Sequence, residues 1–92
     1  MKNIQQISIW YKGQNLNGKF LEVYIINDNL KDSCKFWWGI FNEGSDINSK
    51  GICISEGNLT MNQQDYIDWN TNPDINDAAY YWIAEQLGLT II

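Results

Sequence analysis

A chain of 92 residues makes one domain, and an apolar fraction of 45% with five Trp and five Tyr excludes intrinsic disorder. Six lysines, eleven carboxylates, no arginine and no histidine leave a net charge of −5. That balance disfavours direct nucleic-acid binding, which draws on cations to displace counterions from phosphates, and the lack of His removes Ser-His and Cys-His nucleophiles and most zinc sites.

Residues 7–12, ISIWYK, alternate well enough for a first strand, and KGQNLNGK supplies turn chemistry after it. FLEVYIIN at 20–27 is rich in β-branched and aromatic residues and reads as a second strand. DNLKDS is a loop, CKFWWGIFN over 34–42 a third strand, EGSDINSKG a second loop, and ICISE over 52–56 a short fourth strand. Loops this short leave no room for crossover helices, so antiparallel pairing is expected.

At Thr60 the character changes. Thr60 with Gln63 three residues later has the pattern of a capping box, and MNQQDYIDW supports a helix of two turns. NTNPD breaks it. A longer helix follows, with Asn76 as expected N-cap, an Ile75–Tyr80 hydrophobic staple, and Gly88 as C-terminal stop. Its apolar arc is Ala78, Ala79, Trp82, Ile83 and Leu87, with Asp77, Tyr81, Ala84 and Glu85 opposite. The expected fold is α+β: a single domain over 1–92, mainly β in 1–59 and mainly α in 60–92. An antiparallel meander of about four strands carries the C-terminal helix on one face, and LTII ends the chain as a tail or a short strand.

The third strand poses a question. Alternation sends Phe36, Trp38 and Ile40 to the face under the helix, and Trp37 and Phe41 to the other, with Gly39 as a notch between them. The second pair is covered within the monomer, or by a partner, or by a second copy of the chain; stacking on a sugar is a further use of such residues. Cys34 and Cys53 are read as free thiols, because a hairpin over 34–58 places Cys34 opposite residue 58 or 59.

Charge separates along the chain. All six lysines lie at or before Lys50, whereas Glu56, Asp65, Asp68, Asp74, Asp77 and Glu85 follow it without a single cation. Such a half suits a basic partner surface. As catalytic or metal-binding groups the same residues fare poorly. Glycines are scattered with no phosphate loop, and Asp74 to Glu85 has Ala79 where a calcium loop needs Gly. No cofactor, metal or catalytic residue is expected. No apolar run approaches the roughly 20 residues of a membrane span, and MKNIQQISIW lacks a signal peptide's apolar core, so a cytoplasmic location is expected.

The ending LTMNQQDYIDWNTNPDINDAAYYWIAEQLGLTII, with Tyr66 and Trp69 three apart and a Trp-bearing helix closing in Leu87-Gly88-Leu89, resembles small proteins encoded in phages and prophages. Those with known roles include anti-CRISPR and anti-restriction proteins, which are small, acidic and non-enzymatic. The resemblance implies a phage-type inhibitor of a host nucleic-acid-processing complex, in a bacterial cytoplasm. Its expected contacts are Asp65, Asp68, Asp74 and Asp77 for charge, with Trp37, Phe41 and Tyr81 as aromatic anchors. The alternatives are a phage structural or assembly protein that forms a homodimer through the aromatic sheet face, and an immunity protein that neutralises a toxin.

Overall fold

The computed structural model describes residues 1–42 and 51–92; of the expected loop over 43–51, all but the last residue lie outside the described residues. Four antiparallel strands form one sheet in chain order: β1 (Lys2–Tyr11), β2 (Gln14–Asp28), β3 (Ser33–Phe41) and β4 (Cys53–Asn62). Two helices follow, α1 (Gln63–Asn70) and α2 (Ile75–Leu87). The fold is α+β, with α2 packed on the sheet.

The first two strands are longer than expected, and the reason is local. Lys12 (φ 46°) and Gly13 (φ 87°) form a two-residue turn with both residues at positive φ, which matches the twist of a tight hairpin. Asn15, Asn17 and Gly18, expected as loop, therefore belong to β2 and pair with Trp10, Ser8 and Ile7. Gly18 is required there: a β-carbon on it would lie 2.7 Å from Ile40 Cγ2 and 3.1 Å from Ile7 Cγ1. β4 is also longer than expected, pairing with β3 from Phe41↔Cys53 to Ser33↔Asn62. Thr60 is thus a strand residue opposite Lys35 and not a helix cap. Asn62 precedes α1, without a side-chain cap hydrogen bond, and Gln63 turns the corner at φ 49°.

The core lies between the sheet and the helices. Phe36, Leu21, Met61, Ile83 and Cys34 are fully enclosed. Trp69 meets Phe36 edge-on, with centroids 5.4 Å apart at 87°, and its Nε1 donates to Ile75 O at 2.7 Å, tying the end of α1 to the start of α2. Tyr66 is buried beside it and donates to Asp28 Oδ1 at 2.8 Å. That bond to the carboxylate is the first cause of its raised pKa. The buried face of α2 is Ala79, Tyr80, Ile83 and Ala84. Ala84, expected outside, is buried because the helix is rotated toward Tyr80. Asp74, not Asn76, caps α2, its carboxylate accepting from Asp77 N at 3.0 Å. Ile75 is the first residue inside the helix and stays exposed, so the expected staple is not made. Gly88 closes α2 at φ 73°, as expected.

The second sheet face answers the question raised by β3. Tyr24 stacks on Trp37 with centroids 5.2 Å apart at 17°, and its hydroxyl donates to Glu22 Oε1 at 2.7 Å. The Trp37 ring lies over Gly39, touching the space a β-carbon would occupy, and Phe41 is only 6% exposed. The notch is filled by the indole beside it.

The strand edges differ from one another. At its start the outer side of β1 is closed by the chain end, where Gln5 N donates to Thr90 O (2.7 Å) and Ile92 N to Asn3 O (3.1 Å). LTII therefore contributes one bridge, Ile4↔Ile91. β2 outlasts β1, whose pairing stops at Lys2↔Leu21, and its free half is broken by a register shift between Ile25 and Asn27. Among the described residues β4 pairs with β3 alone.

Candidate functional site

A groove of about 280 Å³ runs between the two helices at the C-terminal end of β4. Asp65 and Asp68 from α1 and Glu85 from α2 line it, over Trp69, Ala78, Trp82 and Met61, with Asn72 at the rim. The spacing explains the convergence. Residues 65 and 68 sit one turn apart on α1, and 78, 82 and 85 form one stripe of α2 at intervals of four and three. Trp82 is half-buried, its ring 6.2 Å from that of Phe36, so the core fixes an indole in the groove.

No lysine among the described residues lines this groove. The one ion pair among the described residues is elsewhere, Lys2 Nζ to Asp77 Oδ1 at 2.7 Å. The bond to Asp77 is the first cause of the raised Lys2 pKa, and the ammonium also lies 5.6 Å from the Tyr80 ring centroid and 6.0 Å from that of Tyr81. Asp68 accepts from Gln64 Nε2 at 2.9 Å, a neutral donor that leaves its charge in place. Two of the three carboxylates also stand where a helix least favours them. Asp68 and Glu85 occupy the last turns of α1 and α2, neither of which carries a base, and the negative end of the helix dipole disfavours an anion by about 0.3–1 kcal/mol.

The seven residues expected to form one contact surface are divided by the fold. Asp65 and Asp68 meet in the groove. Asp74 is used as the cap of α2 and Asp77 in the pair with Lys2, so both serve structure. Trp37 and Phe41 lie on the sheet face away from the helices, covered as described above. Tyr81 is exposed beside Lys2. Glu85 and Trp82 complete the groove without having been singled out as contacts. A carboxylate in the last turn of a helix with no base nearby was the signal available for Glu85.

A second depression of similar size lies between the free half of β2 and the start of α2. Val23, Ile25, Phe36, Trp69, Ile75 and Ala79 line it, with no carboxylate or lysine among the described residues of its lining. The two cysteines are apart, Cys34 opposite Met61 and Cys53 opposite Phe41, and both thiols are free. Cys34 faces Met61 and not residue 58 or 59 because β4 starts later than expected and its register is offset at Ile54. Among the described residues no cluster of three or more acidic or cysteine side chains is placed to hold a metal ion, and no helix is long and apolar enough to cross a membrane. Comparison with protein-family models, curated proteins and solved structures found no match.

Proposed function

We propose that this protein acts by binding another protein through the carboxylate groove between α1 and α2, without catalysing a reaction. The observation that carries the reading is the convergence of Asp65, Asp68 and Glu85 on one groove with no lysine among the described residues of its lining. A Lys or Arg side chain entering it finds carboxylates from both helices and the Trp82 indole in its walls, combining charge attraction with an aromatic contact. Basic surfaces of this kind are those that hold nucleic acid, and occupying one blocks it. In the finer form of the proposal the protein is a phage-type inhibitor of a host nucleic-acid-processing complex, of the CRISPR or restriction class. Its resemblance to small acidic phage proteins and its −6 charge beyond Lys50 support that form.

The test is affinity capture from a bacterial lysate with the wild type and with Asp65→Asn/Asp68→Asn/Glu85→Gln, at about 50 mM and about 500 mM salt. The expected result is a nucleic-acid-handling protein held by the wild type at low salt, released at high salt and not held by the variant. Equal capture by the two proteins, or capture indifferent to salt, overturns the reading.

A further inference from the structure

The partner's shape is legible in the outer side of β4. Gln63 N donates to Asp32 O at 2.8 Å, and this bond continues the β3–β4 ladder beyond Ser33↔Asn62. The register is unbroken from there to Ile40↔Ser55. In an antiparallel ladder alternate residues turn both backbone groups to the same side. Gln63, Met61, Leu59 and Gly57 therefore address β3, and Asn62, Thr60, Asn58 and Glu56 direct N–H and C=O outward. All four outward residues are exposed.

Among the described residues this edge carries few of the devices that usually protect one, Glu56 being its one charge. Residues 53–62 hold no Lys and no Pro, and the one irregularity in the pairing falls at Ile54, away from the four. By contrast β1 is capped at its start by the chain end, and the free half of β2 is bulged between Ile25 and Asn27. The edge leads to the acidic groove: Met61 lines it, and Asp65 follows Asn62 by three residues.

We infer that β4 accepts an extended segment of a basic partner protein as a fifth strand, with a Lys or Arg of that segment seated among Asp65, Asp68 and Glu85. The inference rests on the acidic-groove reading and adds the partner's backbone conformation. Charge selects the occupant. A second copy pairing β4 with β4 brings two halves together that each carry −6 and no cation, and like-charge juxtaposition opposes that assembly. A basic strand gains from both the ladder and the groove.

Amide hydrogen exchange followed by NMR on the free full chain tests the edge. Fast exchange at Glu56, Asn58, Thr60 and Asn62 beside slow exchange at Gly57, Leu59 and Met61 is expected; slow exchange at all seven overturns the inference. A displayed library of random dodecapeptides then supplies the probe. Enriched peptides should carry Lys or Arg and slow the four outward amides. They should lose about tenfold in affinity or more when alternate backbone nitrogens are methylated, and as much against Asp65→Asn/Asp68→Asn/Glu85→Gln. No enrichment, or enriched peptides without a cation, overturns the inference. Peptides that tolerate methylation and still need the carboxylates sink the added strand and leave the acidic groove standing. Those that need the ladder and ignore the carboxylates remove the basic partner, and with it both readings.

Discussion

Cys34 shows how one enclosed side chain couples this fold to pH. It has no exposed surface, and burial, aided by nearby Asp28, pushes its thiol up from 9.0 to about 11. Unfolding exposes the thiol to water, where it ionises at its ordinary pKa. The unfolded chain thus loses a proton between pH 9 and 11 that the folded chain keeps. The stabilisation is complete below pH 9 and disappears as pH climbs through 11. About two pKa units correspond to something on the order of 2 kcal/mol. Urea unfolding of the wild type and Cys34→Val at pH 8 and pH 11 should show the wild type losing about that much more than the variant. An equal loss in both proteins contradicts this origin. The half-buried Cys53 should react first with a thiol reagent at pH 8, and Cys34 only as the chain unfolds.

At the level of single elements the β1–β2 hairpin is the piece whose turn residue can be improved. Lys12 sits at φ 46°, a conformation that costs a side-chain-bearing residue roughly 1–2 kcal/mol and that Asn adopts more readily. Its ammonium lies 5.3 Å from the Tyr11 centroid, an exposed contact worth about 0.5 kcal/mol that Asn gives up. Lys12→Asn should gain about 0.5 kcal/mol net and raise Tm by a few degrees; a fall in Tm would show that the Lys12 contact outweighs the turn. In β3 the opposite holds for Gly39. A β-carbon there meets the Trp37 ring, so Gly39→Ala must push the indole off Tyr24 and should cost about 1–3 kcal/mol. Loss of the near-ultraviolet circular dichroism of the stacked pair would report it. The helices were readable from Pro73, Gly88 and the apolar spacing, while their starts were not. Thr60 and Asn76 carry the right chemistry for caps, but β4 holds Thr60 in its ladder and the turn leaves Asp74 to cap α2.

Across the whole molecule the charge distribution sets stability against binding. Asp65, Asp68 and Glu85 share a groove with no counter-ion among the described residues, and two of them oppose a helix dipole. Neutralising them takes the net charge from −5 to −2, the three lost negative charges accounting for the difference. Asp65→Asn/Asp68→Asn/Glu85→Gln should therefore be as stable as the wild type or up to about 1–2 kcal/mol more stable at low salt, with the gap closing as salt is added. Marked destabilisation would mean that these carboxylates hold the helices together and would count against a role in binding. Asp77→Asn behaves differently: it releases Lys2 and the tie from β1 to α2, a partly exposed pair worth at most about 1 kcal/mol.

Sequence was sufficient for the class of fold, the strand order, two helices with the second closed by Gly88, and an acidic C-terminal half. Each rests on local chemistry: alternation, turn residues, a left-handed stop, and the positions of six lysines. Tertiary structure decided which acids meet. Asp74 and Asp77 looked equivalent to Asp65 and Asp68 along the chain, and only the cap of α2 and the reach of Lys2 from β1 removed them. Glu85 joined the groove because α2 crosses back over α1, a proximity of residues 17 and 20 positions apart that no local pattern encodes. The fate of Trp37 was likewise settled across strands, where Tyr24 supplies the stacking partner and Gly39 the room. Contacts between distant segments depend on register and helix rotation, and both are set by how the core packs.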